Sequence, residues 1–399
     1  MELPSSCEVL IVGAGPAGSA AAITLGRAGV DVVLIDQRTF PREKVCGDGL
    51  ISDSLAALQT LGVADAVARE SVPGRELRVY PPYGRHVAIP GAFACLTRQR
   101  LDTILSDAAQ SSGARRVYGA TASEVLEDGR RVAGARVSIG SQQVDVRATM
   151  TLLATGANAT ALETFGLAAS MQPSAVAGRA YYEASDDLVA KYPSLIIGYD
   201  KDWCPGYGWI FPSPGNRFNI GVGLFTGASR ERRLRDFWQV FTSRFPPAVE
   251  ILRGARQVTP FRGAPLRTSM SGDTFGRPGL MSIGEAASLT YAATGEGIGK
   301  AMESGIIAAR LAQEALSGRQ PVESAHATYR AEFKAAFAFR YRAYAVAQAW
   351  AASPIVLSLL AGRANGGRFA LAELEDLIAE RGDPRRLFSK TGLLKALVR

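Results

Sequence analysis

Histidine and cysteine are scarce in this chain, and their scarcity excludes several kinds of site. His86 and His326 are the only histidines in 399 residues, so a centre built from several histidines is excluded and a Ser-His-Asp triad has little support. The four cysteines show no Cys-x-x-Cys spacing, and the first four residues are too few and too polar for a signal peptide. We therefore expect a reduced, cytoplasmic protein with no metal and no disulfide framework.

The features of a nucleic-acid-binding protein are also missing, although the net charge is +8. We find no zinc-finger spacing and no basic helix interleaved with aromatic residues, so we expect no nucleic-acid partner. Six basic residues and one acid fall between Arg381 and Arg399. This basic C-terminal region is either a solvated surface or a peripheral contact with an anionic membrane, which would make the protein membrane-associated.

Long uncharged runs are rare as well, and the most prominent one covers the twenty residues 343–362. That length would permit a membrane span. However, the run is rich in alanine and contains Gln348, Ser353 and Pro354. We expect a buried or interfacial helix that breaks at Pro354.

Glycine, by contrast, is abundant, and a glycine loop near the N-terminus predicts dinucleotide binding. The stretch EVLIVGA predicts a buried strand, GPAGSAAAITLGRAG a helix and VDVVLID a second strand. The turn places Gly13, Gly15, Ala17 and Gly18 where helix N–H groups can meet a pyrophosphate. Asp36 ends the second strand, where a carboxylate can bind both ribose hydroxyls. This motif alone does not distinguish FAD from NAD.

A second glycine loop, in GEAASLTYAATGEGIGKAMESG, favours FAD. Glu285 follows a strand and can bond a ribityl hydroxyl. Gly295, Gly297 and Ile298 open a long helix, and its free N–H groups suit the edge of an isoalloxazine ring where negative charge gathers on reduction. Arg98, where an extended segment enters a helix, is predicted as a further cofactor contact.

Together these elements resemble the FAD-dependent group of aromatic hydroxylases, flavin halogenases and the geranylgeranyl reductase family. Two stretches favour the last family. PREKVCGDGL is similar to its P-R-x-K-x-C-G-x-x-L segment, and YGWIFPSPGNRFNIGVG is similar to its Y-x-W-x-F-P motif followed by G-x-G. The resemblance implies an α/β fold: a Rossmann-like FAD-binding domain, an inserted antiparallel-sheet substrate domain and C-terminal helices.

The order of elements along the chain predicts three regions. We assign residues 1–75, 98–164 and 266–325 to the FAD-binding domain, 76–97 and 165–265 to the substrate-binding sheet domain, and 326–399 to a C-terminal helical region.

The resemblance also implies roles for particular residues. Arg42, Cys46 and Gly47 would lie at the cofactor, and Arg42 would steady phosphate or lower the pKa of the Cys46 thiol. Cys46 and Tyr207 are the candidate catalytic proton donors, with water as a third candidate. The predicted substrate-binding residues are Tyr207, Trp209, Phe211, Pro212 and Tyr291.

The function implied is an FAD-dependent reductase of carbon–carbon double bonds in a prenyl or similar apolar substrate. Hydride would come from N5 of reduced flavin, together with a proton. The alternative is a class A-type flavin monooxygenase or a halogenase-like tailoring enzyme acting on a secondary metabolite. No separate NAD(P)H loop is visible, so either NAD(P)H or a ferredoxin, as an electron-donor protein, would supply electrons.

Three departures from the family pattern bear on that choice. The family usually has Asp where this chain has Glu285, and it usually has Asn-Pro where this chain has Tyr291 and Ala292. Relatives often read Ala-Asp-Gly where this chain has Thr155 between Ala and Gly. Glu285 keeps a carboxylate for FAD, whereas the changes at 291 and 292 bear on the substrate and reaction type.

Overall fold

The computed structural model describes residues 3–167, 174–204, 206–225, 230–270 and 275–398. The strands are β1 (Ser6–Val12), β2 (Val32–Asp36), β3 (Gly49–Leu50), β4 (Val72–Tyr80), β5 (Val87–Cys95), β6 (Arg115–Tyr118), β7 (Ala120–Asp128), β8 (Arg131–Ile139), β9 (Gln142–Leu153), β10 (Ala175–Glu183), β11 (Leu195–Gly198), β12 (Gly206–Ser213), β13 (Arg217–Leu224), β14 (Arg256–Gln257), β15 (Arg262–Leu266), β16 (Gly276–Arg277) and β17 (Leu280–Ser282).

The helices are α1 (Pro16–Arg27), α2 (Ser52–Thr60), α3 (Ala64–Glu70), α4 (Arg98–Ser111), α5 (Ala159–Thr164), α6 (Asp186–Lys191), α7 (Arg230–Arg244), α8 (Pro246–Gly254), α9 (Ile298–Leu316), α10 (Ala325–Ala351), α11 (Pro354–Gly366), α12 (Arg368–Ile378) and α13 (Lys390–Val398).

The first sheet has a parallel centre, in the order β17-β9-β1-β2-β6. Residues 9–12 of β1 and 32–35 of β2 are continuous apolar runs, and both faces of each run are buried. Val9 and Ile11 face a core shared with α1 and α9, while Leu10 and Val12 face a second core under the antiparallel strands β7 and β8. The βαβ unit predicted from the sequence is therefore confirmed.

The second sheet runs β14-β10-β13-β12-β11-β4-β5-β3, with β15 beside β10. It is antiparallel, as expected, except that β11 pairs with β4 in parallel. β4 begins at Val72, and the two-residue strand Gly49–Leu50 joins this sheet although it follows the first βαβ unit. The second sheet therefore includes residues that the sequence analysis assigned to the FAD-binding domain.

The C-terminal helices cover both halves of the molecule. α10 packs against α9, whereas Ala361 and Ala364 of α11 pack with Val87 and Ile89 of β5. α10 ends at Ala351 and α11 begins at Pro354, so the predicted break is confirmed. Within the described residues no single helix has the length and apolarity of a membrane span; α10 and α11 reach those limits only as a pair bent by 109°.

Candidate cofactor and substrate site

One large cavity, of about 540 Å³, opens between the two sheets. Its first half is formed by the turn after β1. Gly13 has φ of +107°, and a Cβ there would lie 2.4 Å from the Ala154 carbonyl oxygen, so only glycine fits. A Cβ on Gly18 would lie 1.9 Å from the Gly13 carbonyl oxygen, so the backbone of α1 packs directly on the backbone of the turn with no room for a side chain. The N-terminus of α1 therefore faces the cavity with unobstructed N–H groups.

Asp36 stands at the edge of this half, at the end of β2. Its carboxylate accepts hydrogen bonds from the backbone N–H groups of Ala14 (2.9 Å) and Arg38 (2.8 Å). These bonds fix the carboxylate at the cavity wall, and its remaining lone pairs suit a ribose.

Two arginines are held beside the glycine turn by a shared acid. Arg98 makes a bidentate pair with buried Asp102, at 2.7 and 2.8 Å, and Arg42 lies 3.1 Å from the same carboxylate. A Cβ on Gly15 would lie 3.6 Å from the Arg42 guanidinium and 3.9 Å from that of Arg98. Two positive charges and a helix N-terminus thus converge, as a pyrophosphate requires.

The second cofactor loop meets the first across the cavity. Glu285 lies 3.7 Å from Lys44 and accepts the N–H of Arg267 at 3.2 Å. The Thr155 hydroxyl faces the same cavity, is buried, and has no hydrogen-bond partner among the described residues. A Cβ on the next residue, Gly156, would lie 3.6 Å from the Lys44 ammonium and 3.7 Å from the Glu285 carboxylate. An unpaired buried hydroxyl beside these two groups suits a polar cofactor chain, so the residues present fit FAD.

The Cys46 loop lies between the two sheets. The Cys46 sulfur accepts the Asp48 N–H at 3.4 Å, and its carbonyl accepts the Asn219 side-chain amide at 2.8 Å. Burial raises the pKa of the Cys46 thiol, although Arg98 opposes the shift. The thiol is therefore protonated at neutral pH. Arg42 is held at the glycine turn by Asp36 and Asp102, so its position favours the predicted phosphate role over an effect on this pKa.

Asp48, missed by the sequence reasoning, anchors this loop to the second sheet. It is 1% exposed and has φ of +66°. Its carboxylate accepts hydrogen bonds from Tyr181, from Asn219 (2.8 Å) and from the Arg98 backbone N–H (3.3 Å). Burial raises its pKa to about 6 against the opposing hydrogen bonds. The only available signal was an acid placed between two glycines.

An aromatic face of β12 forms the second half of the cavity. Tyr207, Trp209 and Phe211 alternate along the strand and line the wall. The Trp209 indole donates to Asn219 at 2.9 Å, and a Cβ on Gly47 would lie 3.3 Å from the Phe211 ring. The Cys46 loop and the predicted substrate residues therefore touch.

Tyr207 is less suited to proton donation than predicted. Its hydroxyl donates to the Thr294 carbonyl of the second cofactor loop, and burial raises its pKa well above the ordinary value. The side chain therefore ties β12 to the start of α9 and lines the cavity as a neutral ring.

Two predicted substrate residues lie elsewhere. Tyr291 is fully buried in the core, with its ring 4.7 Å from Tyr341 and 4.4 Å from Tyr344 of α10. Pro212 is buried on the face of β12 opposite Phe211, because side chains alternate along a strand. The spacing of a motif did not reveal which face each of its residues occupies.

The remaining residues predicted to contact the cofactor lie in the wall of the same cavity. The cavity wall includes Ala17, Gly47, Gly295, Gly297 and Ile298. Gly295 has φ of +69°, and a Cβ there would lie 3.1 Å from the Tyr207 hydroxyl. The start of α9 therefore lies beside the aromatic face. Within the described residues no group of three metal-ligating side chains occurs.

Comparison with known proteins is consistent with this geometry. The sequence matches the FAD binding domain family over residues 6–338. It is 35% identical over 331 residues to a menaquinone reductase of Mycobacterium tuberculosis, covering 78% of each chain. It is 31% identical over 323 residues to a digeranylgeranylglycerophospholipid reductase of Methanosarcina acetivorans, covering 78% of this chain and 76% of the relative.

Solved structures share the fold at lower identity. A geranylgeranyl bacteriochlorophyll reductase-like protein from Thermoplasma acidophilum aligns with a TM-score of 0.80 at 23% identity, covering 99% of this chain and 96% of that one. A flavin-dependent brominase aligns with a TM-score of 0.79 at 20% identity, covering 98% and 97%. The whole architecture is therefore common to enzymes of different chemistry, and the site residues must distinguish them.

Proposed function

The chain belongs to the FAD binding domain family and, within it, to the geranylgeranyl reductase family of FAD-dependent oxidoreductases, and from this premise we propose that it saturates carbon–carbon double bonds in the prenyl chain of a lipid. The relatives named as menaquinone and digeranylgeranylglycerophospholipid reductases support a prenyl substrate. A prenyl chain has isolated double bonds and no polar groups, so a protein must recognise it through apolar contacts.

The observation that carries the proposal is the shape and lining of the cavity. The half that suits a cofactor continues into an apolar half, without a wall between them. The apolar half is lined by Phe93 and Leu195 of the second sheet, by Phe211, and by Leu377 and Ile378 of α12. Such a lining matches a hydrocarbon chain, since it offers contact area with few hydrogen bonds to satisfy.

The residues that would hold FAD follow from the geometry. The turn after β1 with Arg42 and Arg98 would bind the pyrophosphate, Asp36 the ribose, and Glu285 the ribityl chain. The start of α9 would meet the isoalloxazine ring. When bound, FAD supplies hydride chemistry in this cavity.

The protein must also supply a proton, and Cys46 is the proposed donor. Its thiol is neutral at physiological pH, and the loop that carries it contacts Trp209 and Phe211. The hydrogen bonds that Asn219 donates to the Cys46 carbonyl and to the Asp48 carboxylate hold that loop against the substrate wall. Tyr207 would serve to shape the wall and to fix the start of α9.

The decisive experiment is an anaerobic incubation with the FAD-loaded protein. We expect dithionite-reduced protein to add two hydrogens per double bond to menaquinone or to a geranylgeranyl lipid, detected by mass spectrometry. NAD(P)H and reduced ferredoxin are the proposed physiological reductants, and anaerobic bleaching of the flavin absorbance would identify which one reacts. A protein that leaves both lipids unchanged, yet yields an oxygenated or halogenated product with NADPH and oxygen, would be a monooxygenase or halogenase-like enzyme instead.

A lipid substrate requires access from a membrane, and we propose peripheral contact through the C-terminal region. The positive charge of this region attracts an anionic membrane only weakly, because three of its arginines are already paired with acidic side chains. Arg381, Arg385 and Arg386 lie 3.5, 2.6 and 2.9 Å from Asp376, Asp383 and Glu373. The apolar surface is the stronger feature: Ile355 on α11 is 73% exposed and Leu394 on α13 is 63% exposed.

Co-sedimentation with lipid vesicles tests this contact. We expect binding to phosphatidylcholine vesicles to persist in high salt, and Ile355→Asp to weaken it by about tenfold or more, because several buried methylene groups are lost and a charge is added. The variant should fold normally, since the side chain is exposed. Equal binding by Ile355→Asp, or binding that needs anionic lipid and disappears in salt, would contradict an apolar contact.

A further inference from the structure

A single buried amide, the side chain of Asn219 on β13, joins the Cys46 loop to the aromatic wall. This side chain is fully buried. Its nitrogen donates hydrogen bonds to the Cys46 carbonyl and to the Asp48 carboxylate, both at 2.8 Å. Its oxygen accepts the Trp209 indole N–H at 2.9 Å. Both N–H donors of the amide and one of its acceptor positions are therefore used to connect the loop with the wall.

The chemistry of these partners fixes the orientation of the amide. An indole nitrogen can only donate and a backbone carbonyl can only accept, so the amide oxygen of Asn219 must face Trp209 and the amide nitrogen must face Cys46. Breaking any of the three bonds would leave a buried polar group unpaired, which is costly. The amide therefore holds the loop and the wall in one relative arrangement.

The register of β12 and β13 brings the indole to this amide. Trp209 is the cross-strand partner of Gly221, and Phe211 is the partner of Asn219, so the two rings and the amide share one face of the sheet. A Cβ on Gly221 would lie 2.2 Å from the Trp209 ring, so only glycine leaves room for the indole to reach across β13. The loop also meets the indole directly, since a Cβ on Gly47 would lie 3.5 Å from its nitrogen.

A separate anchor holds the end of the loop at Asp48. The carboxylate of Asp48 accepts the hydroxyl of Tyr181 on β10 and the Arg98 backbone N–H at 3.3 Å. Neither bond involves Asn219. Loss of the amide would therefore leave the loop attached through Asp48, while it would release the Cys46 backbone from the wall.

We propose that Asn219 is a positioning residue for proton delivery, because it holds the Cys46 thiol in a fixed place relative to the substrate wall. The inference rests on the proposed reduction of a double bond. In that reaction one carbon receives hydride, whose two electrons come from the reductant. The other carbon receives the Cys46 proton as the S–H bond breaks, and the thiolate recovers a proton from solvent. Because Asn219 acts through Cys46, it governs the chemical step and not the affinity for the lipid.

Anaerobic turnover of a geranylgeranyl lipid by the FAD-loaded protein tests this role. Asn219→Ala should lower kcat by about a hundredfold, as a misplacement of about 1 Å does, and should leave KM within about twofold. Asn365→Ala is the matched control, since that exposed amide on α11 also donates to two carbonyls, those of Arg85 (3.4 Å) and His86 (3.0 Å). It should match the wild type. Wild-type kcat in Asn219→Ala, or a raised KM alone, would overturn the proposal.

A second variant keeps the test decisive if Asn219→Ala does not fold. Trp209→Phe removes one of the three bonds and keeps an aromatic ring, so it should lower kcat by about tenfold. In a Cys46→Ala background the same substitution should have no further effect, because the bond acts through Cys46. An equal effect of Trp209→Phe with and without the thiol would show that the ring acts on the lipid directly, and the inference would fall.

Alkylation of Cys46 by iodoacetamide, measured by peptide mass spectrometry on the oxidised holoprotein, tests the anchoring without turnover. Burial raises the pKa of this thiol. Release of the loop in Asn219→Ala or Trp209→Phe should move the pH profile of alkylation to lower pH and speed the reaction at neutral pH by about tenfold. If the wild type reduces no lipid but both variants react faster, the proposed function fails and the anchoring stands. Unchanged alkylation in both variants contradicts the anchoring itself.

Discussion

At the scale of single residues, Asp48 shows how a loop is held in place by one buried carboxylate. It accepts bonds from Tyr181, Asn219 and the Arg98 backbone, and so it joins the cofactor loop to the second sheet. Its backbone lies in the left-handed region at φ of +66°, a conformation that Asp tolerates better than most residues. Conformational strain at this position is offset by three hydrogen bonds.

The titration of Asp48 gives a pH-dependent contribution to stability. Its folded pKa is about 6, raised from 3.8, so the folded protein binds the proton more tightly than the unfolded chain. The stability from this group is present below pH 3.8 and is lost as pH rises through about 6, a change of about 3 kcal/mol. In Asp48→Asn this loss should vanish, so the unfolding free energy of the variant relative to wild type should increase with pH.

Urea unfolding of the FAD-loaded proteins between pH 4 and about pH 7 measures this difference. Asp145→Asn provides the control, because Asp145 is on the surface and Arg136 lowers its pKa. That variant should keep the wild-type loss between pH 4 and 6. A difference between Asp48→Asn and wild type that does not change with pH would contradict the assigned titration.

Single residues also show where the sequence alone was sufficient to predict a role. Gly13, Gly18 and Asp36 could be placed because their roles depend on neighbours within one βαβ unit. Tyr291 could not, because its ring packs on Tyr341 and Tyr344, which lie some fifty residues along the chain. Asp48 was missed for the same reason, because its partners Tyr181 and Asn219 lie on distant strands.

At the scale of elements, the two cofactor loops are joined by the packing of α1 on α9. Gly305 faces α1 so closely that a Cβ there would lie 2.3 Å from the Ala17 carbonyl oxygen. A Cβ on Gly284 would likewise lie 2.9 Å from the Ala17 methyl group. The small residues therefore set the distance between the starts of the two helices, and so between the two loops.

A matched pair of glycine substitutions tests this packing. Gly305→Ala must push two backbones apart and should lower the unfolding free energy by about 1–3 kcal/mol. Gly362→Ala, in α11, meets no atom within 4 Å and should raise stability by up to about 1 kcal/mol through helix propensity. Thermal unfolding of the FAD-loaded variants measures both. Equal effects would show that α1 and α9 can separate freely.

The sequence predicted some helices and strands correctly but did not predict how several strands pair. β1, α1, β2 and α9 follow from local apolar periodicity and from glycine positions. The pairing of β3 with β5 and of β11 with β4 was not foreseen, because strand partners are chosen by contacts far apart in sequence. The break before α11 was predicted because Pro354 acts locally.

At the scale of the whole molecule, three parts of the chain enclose one cavity. The first sheet and its helices contribute the glycine turns, the second sheet the aromatic wall, and α12 the side chains Leu377 and Ile378. The resemblance to a reductase family predicted that one sheet domain binds the cofactor and the other the substrate. The pattern of residues along the chain alone indicated only two sheets and a C-terminal helical region. The contribution of α12 was beyond prediction, because nothing in its sequence points to β5 or to the cavity.

The position of Trp209 has a practical consequence for measuring this protein. Of the four tryptophans, Trp209 alone belongs to the cavity wall. Trp203 and Trp238 stack on other rings, and Trp350 meets the Phe388 ring edge-on. The Trp209 indole is fixed by Asn219 beside the cofactor half. The chain therefore carries a built-in fluorophore whose emission responds to a neighbouring flavin, and cofactor uptake can be titrated optically without any added label.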